Sequence, residues 1–461
     1  MKVITTSIQT WQAKLAGALV LSTSIISSCA DPSDIGLILD PNANRIGVFY
    51  AEIPLSASLV DIDSLNTTNP YVFTAGGDIS DYFGTTEATA YSRLNFSTSA
   101  IVPDEDALLD SARFSVDVTS LTAEDLDDAK TFSAHMLTEQ ILDTTYYNFD
   151  HIPYQESPFA TGSFMLKENS DTVLLMNMDE ALANDMFTKL KSDDPVFHDI
   201  FSFRNYFPGF ALKGAPEQQT TINVRPGVST GIKFYYRNSS EDTVSSIYTI
   251  YSSNSRHFNG MVNDATGTPT EIIKEKNTAY DPGQIKGSKS LRGLVVKLDM
   301  EPLSNFLDTV QQVVFNYAEI SLGPVENFPE SKYVPSYMIA YFTDDTNKIL
   351  TRESDGALYS IQSGSFQVVT DEDGNVLPYI GTTTTNPLIF NSEKFTYFQI
   401  ITDYVDGLYR NDVMRTDLLL YPRTPNSSAS PPYSNDIIRS MREYEVNQNS
   451  IKLKIYYSKL N

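Results

Sequence analysis

Asp110-Ser111-Ala112-Arg113-Phe114-Ser115-Val116-Asp117-Val118 carries the pattern that sets the fold. From Ala112 onward, apolar residues alternate with Arg113, Ser115 and Asp117, the period-two signature of a strand with one buried face. Asn316-Tyr317-Ala318-Glu319-Ile320-Ser321-Leu322 repeats the motif, with Ala318 lying 206 residues after Ala112. The elements that follow also recur in order. Met178 to Leu190 places Ala183, Met186, Phe187 and Leu190 on one helical stripe, with acids in the first turn and Lys189 near the end, as the helix dipole favours. Phe395 to Tyr409 offers a second helix with Ile400, Ile401, Tyr404 and Leu408 facing the core. Phe210-Ala211-Leu212-Lys213 then matches Leu418-Leu419-Leu420-Tyr421, and Ile232-Lys233-Phe234-Tyr235-Tyr236 matches Leu453-Lys454-Ile455-Tyr456-Tyr457.

Strand, helix, strand, strand occurs twice. This predicts a mainly β chain of two tandem β-sandwich (jelly-roll-like) halves, each with one flanking helix. The N-terminal half is expected at 45–240, a connecting region at 241–290 and the C-terminal half at 291–461. Two unrelated β-rich halves sharing only generic alternation are the alternative. Val368-Val369-Thr370 and Val376-Leu377, flanking Asp371 to Asn375, read as a hairpin, and Arg423 to Asn435 as a long surface loop.

Ahead of the first half, Lys2 and Lys14 precede an apolar stretch opening at Leu15, and Ile26-Ser27-Ser28 leads into Cys29. An apolar residue and two small residues before Cys resemble the lipobox of bacterial lipoproteins, in which the signal peptide is cut before Cys and the thiol is acylated. Residues 1–28 are thus expected to be a signal peptide, Cys29 the lipidation site and 29–44 a tether. Cys29 is the only cysteine among 461 residues, so its acylation precludes a disulfide.

With 33 basic and 58 acidic side chains the net charge is −25, and losing Lys2 and Lys14 makes it −27. Such a chain repels phosphate backbones, so no nucleic-acid partner is expected, and membrane attachment should rest on acyl chains. The single Trp, Trp11, leaves with the signal, while 27 Tyr and 25 Phe are spread through the chain.

Catalytic motifs do not emerge. His135, His151, His198 and His257 have no metal-ligand spacing, and neither a nucleophile elbow nor a phosphate loop is present. No catalytic residue, metal or cofactor is therefore assigned. Asp371-Glu372-Asp373-Gly374 reads as a hairpin turn rather than a calcium loop, because Thr382 stands where a bidentate acid is needed. Glu124-Asp125-Leu126-Asp127-Asp128 reads as a solvated acidic loop, and a lone His257 as a structural residue. Asp followed by Ser or Thr and a small or apolar residue recurs. It marks Ser64, Ser111, Thr144, Thr172, Thr243 and Thr309 as candidate O-glycosylation sites, resembling the general motif of Bacteroidota, although Asp turns before β-branched strands give the same pattern.

Ala75-Gly76-Gly77-Asp78-Ile79-Ser80-Asp81-Tyr82-Phe83-Gly84-Thr85-Thr86-Glu87-Ala88 resembles the N-terminal signature of a Bacteroidota outer-membrane lipoprotein family of unknown function. Asp34-Ile35-Gly36, Phe207-Pro208-Gly209-Phe210, Arg256-His257-Phe258-Asn259 and Asn316-Tyr317-Ala318-Glu319 are similar to further blocks, departing at Pro208 and Tyr317, where Lys is commoner. The resemblance implies a lipid-anchored outer-membrane protein, on its periplasmic face or at the cell surface, with no catalytic residues to carry over. Gly76, Gly77 and Gly84 around Asp78 and Phe83 suggest a constrained turn with a buried aromatic plug. The leading functional expectation is a non-catalytic interaction protein or subunit of an envelope assembly, with an envelope protein as partner. Glycan binding in polysaccharide capture and a carboxylate-based glycoside hydrolase are the alternatives.

Overall fold

The computed structural model describes residues 46–460, apart from 168–171, 327–333, 354–355, 364–367, 371–373, 375, 379–384, 412 and 426–432. The expected strand is the middle of a longer one, Leu108–Ala123, with Ala112, Phe114, Val116 and Val118 buried. It pairs antiparallel with Gly231–Arg237, Ala112 opposite Phe234. Its counterpart Val313–Leu322 pairs in the same way with Lys452–Leu460, Ala318 opposite Ile455. Both ladders carry a bulge at the corresponding position, Asp110 in the first and Asn316 in the second, again 206 residues apart. Two strands sharing only alternation have no reason to insert the extra residue alike.

The correspondence extends through each half. In the N-terminal half eight antiparallel strands form a closed circuit: Thr220–Val224, Phe73–Ser80, Gly84–Ser92, Phe210–Gly214, Lys130–Met136, Ala160–Phe164, Thr172–Met178 and Leu108–Ala123, the last returning to the first. In the C-terminal half the circuit runs Glu443–Asn447, Ile285–Lys289, Leu294–Leu298, Leu418–Pro425, Tyr337–Phe342, Pro387–Asn391, Thr396–Ile400 and Val313–Leu322. Val325–Glu326, just beyond the last of these, pairs back onto Glu443–Asn447. Chain order and spatial order agree strand for strand, so the tandem plan is a repeated topology. Each half is a β-sandwich whose leaves join, which leaves fewer free strand edges to protect.

The outer strands divide differently from the expected boundaries. Ile46–Pro54 and Ala57–Asp61, in the stretch read as the N-terminal half, join the C-terminal sheet beside Lys452–Leu460 and Leu294–Leu298. Within 241–290, read as connecting, Ser246–Tyr251 and His257–Asp264 complete the N-terminal sheet, and Ile285–Lys289 opens the C-terminal one. The two outer pairs occupy equivalent places, so each half is finished by the segment that precedes the other. Alternation identifies such strands but not the edge they take.

Helix α1, Glu180–Lys191, is capped by Asp179, whose carboxylate accepts from Leu182 N, and it buries Ala183, Met186, Phe187 and Leu190 as expected. Phe187 packs near Phe234 and Tyr236 in a phenylalanine-rich core. Each half also has a second helix: α2, Ile200–Tyr206, capped by Asp199, and α3, Glu301–Thr309, with Pro302 in its first turn. Their length leaves too little periodicity to read. The helix expected over 395–409 is a correction. Thr396–Ile400 is a strand paired on both sides, and only Thr402–Arg410 forms helix α4, burying Tyr404, Val405 and Leu408. The β-branched and aromatic run favours the pleated sheet. Val368–Thr370 and Val376–Pro378 do pair antiparallel, while Asp371 to Asp373 of the turn lie outside the described residues.

Val48–Lys459 forms one compact unit. Its two halves meet where the hairpin of Phe73–Ser80 and Gly84–Ser92 drives Tyr82 and Phe83 into the C-terminal core. Positive φ angles at Gly76 (127°) and Gly84 (82°) shape that hairpin, and Gly287 leaves space for the Phe83 ring, since a Cβ there would stand 2.7 Å from Phe83 Cζ. Tyr82 Oη donates to Ile285 O at 2.7 Å. Beneath the plug, the Lys289 ammonium is fully buried, 2.5 Å from Asp78 Oδ2, bonded to Glu443 Oε2 and 5.8 Å from the centre of the Phe83 ring. The shorter hairpin of the other half answers in kind, placing buried Leu291 with Ala88 and Met441 while Asn148 donates to Leu291 O at 2.8 Å.

Burial opposes the Lys289 charge, but Glu443 and Asp78 more than compensate and hold its pKa above the ordinary lysine value. A raised pKa means that the stability it lends is complete at neutral pH and is lost only as pH rises through that folded value. Lys289→Met removes the cation from a buried and a largely buried carboxylate, Asp78 and Glu443, and should cost about 3–5 kcal/mol, read from the urea unfolding midpoint. The triple variant Asp78→Asn, Glu443→Gln, Lys289→Met should recover part of that loss. A single variant as stable as the parent would contradict this role.

Candidate binding face

The outer surface of the C-terminal sheet departs from the usual apolar-in, polar-out division. Tyr317 lies opposite Tyr456 and Glu319 opposite both Lys454 and Ile400, so these side chains share one face. Phe398 and Ile389 continue it, and Val48 and Tyr50 extend it across the edge strand. Tyr50 is 49 % exposed, Tyr456 44 % and Val48 69 %, and Val314, Ile400 and Ile389 are exposed beside them.

Two ion pairs hold the outer tyrosines of a row, Tyr50 and Tyr317. Tyr50 Oη donates to Glu52 Oε2 at 2.7 Å, and Lys452 Nζ sits 2.8 Å from Glu52 Oε1. Tyr317 Oη donates to Glu319 Oε2 at 2.5 Å, and Lys454 Nζ sits 2.9 Å from Glu319 Oε1. The Tyr50 and Tyr456 ring centres are 4.8 Å apart and tilted by 42°; Tyr456 and Tyr317 are 6.2 Å apart at 62°. The row is therefore a ridge rather than a flat shelf. Hydrogen bonds from Lys452 and Tyr50 lower the Glu52 pKa, and the bond to Glu52 raises that of Tyr50 to about 12. In the other repeat Ser111 and Arg113 stand where Tyr317 and Glu319 do, so its outer face, which exposes Val173, Leu175 and Ile247, lacks the tyrosine–glutamate pair.

The sequence-derived sites lie elsewhere. Cys29 and the cleavage motif Ile26, Ser27 and Ser28 are outside the described residues. Ser64, Thr144 and Thr243 are exposed in loops or bends, accessible to a modifying enzyme. Thr309 is exposed at the end of α3, its hydroxyl donating to Phe306 O at 2.7 Å, whereas Ser111 and Thr172 are half-buried within strands. The six are not brought together. Asp125, in the exposed acidic loop, accepts from Asp127 N at 2.9 Å and faces Lys130 at 3.6 Å. His257 is buried, its Nδ1 2.8 Å from Ser255 O.

In two acid-bearing clefts four of the carboxylates are engaged structurally. Asp61 pairs with Lys276 at 2.7 Å and Glu271 accepts from Gly267 N; in the second, Asp344 caps a turn and Asp417 pairs with Lys297 at 3.0 Å. Among the described residues no three His, Cys, Asp or Glu side chains are grouped to hold a metal ion. No family model, curated protein or solved structure matches the chain.

The row leaves no local signal in the sequence, since its tyrosines lie on three separate strands. Because the Glu52 carboxylate both accepts the phenolic hydrogen and repels the phenolate, Tyr50 should ionise near 12. The difference between parent and Tyr50→Phe absorbance titrations at 295 nm measures it. Glu52→Gln should move that step back toward the ordinary tyrosine value; an unchanged step would refute the coupling.

Proposed function

We propose that this chain is a lipid-anchored, non-catalytic interaction protein of the outer membrane that docks a partner protein of the cell envelope. The exposed tyrosine ridge of the C-terminal sheet carries this reading. Tyrosine set among small apolar residues and rimmed by paired charges is the composition of a protein interface core and its border. Two of its three hydroxyls, those of Tyr50 and Tyr317, are bonded to ion-paired glutamates, which reduces the side-chain entropy to be lost on docking. The lipobox-like Ile26-Ser27-Ser28-Cys29 supports attachment to the membrane, leaving the docking work to the β-domains.

Glycan binding in polysaccharide capture is the second reading, favoured by the same exposed tyrosines. Tilts of 42° and 62° suit the ridge to an irregular protein surface better than to the flat face of a sugar ring.

Fatty-acid labelling should mark the parent chain, and Cys29→Ser should lose both the label and retention in membranes. With a photocrosslinker beside Tyr456, a lipid-preserving pull-down should yield one stoichiometric protein adduct. Tyr50→Ala with Tyr456→Ala should weaken it by about 2 kcal/mol or more, roughly thirtyfold. Leu175→Ala, on the corresponding face of the other half, should leave it unchanged. Equal capture by all variants would refute the docking face, and tyrosine-dependent binding on a glycan array with no protein adduct would favour the second reading.

A further inference from the structure

At one end of the N-terminal half, loops following Gly84–Ser92, Thr220–Val224 and Ser246–Tyr251 meet those preceding Phe73–Ser80 and His257–Asp264. They enclose a cleft of about 660 Å³ lined by Arg93, Arg204, Arg225 and Arg256, with Asp143 the one acid in its lining. In a chain of net charge −25 this concentration of arginine is out of character. We infer that the cleft binds a compact oxyanion, a phosphate, sulfate or carboxylate group, either free or carried on a sugar.

Three observations support this. First, one guanidinium in the lining has no partner of its own. Arg93 Nη1 takes Asp143 at 2.8 Å, and Arg225 faces Asp117 at 3.6 Å, whereas Arg204 makes no hydrogen bond or ion pair among the described residues. Burial and the neighbouring Arg93 lower the Arg204 pKa, and Asp143 only partly opposes them. A bound anion would relieve that repulsion between two guanidinium groups whose planar forks suit oxyanions.

Second, unsatisfied polar atoms concentrate here. Arg93 Nε, Arg204 Nε, Arg256 Nε, Ser255 Oγ and His257 Nε2 are all buried with no hydrogen-bond partner among the described residues. Buried polar groups are almost always paired, so five on the lining of one cleft indicate a site built for further donors and acceptors. Burial lowers the His257 pKa, and because Nδ1 donates to Ser255 O the neutral ring presents Nε2 as an acceptor, suited to a hydroxyl or to the proton of a protonated oxyanion.

Third, the walls are backbone-constrained. Asn69, Tyr71 and Asn254 hold left-handed conformations, with φ of 49°, 68° and 56°. For Tyr71 this is costly, and such strain gathers at ligand sites. Arg93 is itself anchored, donating to Ile141 O, and Arg256 donates to Thr144 O. The cleft belongs to the half that lacks the tyrosine ridge, so this inference stands apart from the proposed docking role.

Isothermal titration of the detergent-solubilised full-length chain at low salt, with inorganic phosphate, inorganic sulfate, glucuronate and glucose as separate probes, tests it. At least one oxyanion should bind and glucose should not. Phosphate or sulfate alone points to a free or ester-linked tetrahedral anion, and glucuronate alone to an acidic sugar. Arg204→Gln, which removes no hydrogen bond or ion pair seen among the described residues, should weaken the bound anion tenfold or more and leave the melting temperature within a few degrees. Arg256→Gln should also weaken it, while Lys189→Gln, an equal charge loss on α1 outside the cleft, should not. Binding of none of the oxyanions, equal binding of glucose, or an unchanged affinity in both arginine variants would overturn the inference.

Discussion

A single buried ammonium organises the junction of this molecule. Lys289 is out of contact with water and held between Asp78 of one repeat and Glu443 of the other, with the Phe83 ring nearby. A lone charge at that depth would cost several kcal/mol, so its presence requires both carboxylates to be delivered. That requirement fixes the hairpin carrying Asp78, seats Phe83 in the opposite core, and explains why Gly287 must lack a side chain. Because such a pair contributes less by attraction than it would cost if broken, its structural consequence is register. One placement of the two halves satisfies all three charges.

Around this junction the chain is a repeated topology that closes on itself. The outer strands Ile46–Pro54 and Ala57–Asp61 serve the far half, just as Ser246–Tyr251 and His257–Asp264 serve the near one. The first and last strands of the folded chain therefore lie side by side in one sheet, which couples the ends of the sequence and discourages fraying. With that frame shared, the two repeats differ in what they display. The C-terminal sheet presents a row of tyrosines held by ion pairs at Tyr50 and Tyr317, and the N-terminal loops converge arginines on a cleft.

Much of the architecture was legible in local pattern. The alternation from Ala112 to Val118, the stripe of Ala183, Met186, Phe187 and Leu190, and the 206-residue offset all survive in the structure, because a strand or helix with one buried face must show its period. Partner choice was not legible, since an edge strand alternates alike whichever sheet it joins. The run from Phe395 to Ile400 misled because its apolar residues satisfy a helical spacing and a strand equally well. The binding surfaces were hidden for a related reason. Tyr50, Tyr317 and Tyr456 are far apart in sequence and meet only through register, and Arg93, Arg225 and Arg256 meet Arg204 of α2 only where loops converge on it. Asp78 and Phe83 were singled out in advance, but their partner Lys289 was not, as nothing local marks a lysine for burial.

The central claim is that the plug and its buried ammonium make the two repeats one cooperative body. Native-state hydrogen exchange through a urea series, read separately on Phe114 and Phe234 in the N-terminal core and on Ile320 and Ile455 in the C-terminal core, tests it most directly. The account predicts that all four amides converge on one opening free energy and one urea dependence, and that Phe83→Ala splits them into two sets. Separate isotherms for the two halves in the parent chain would contradict it.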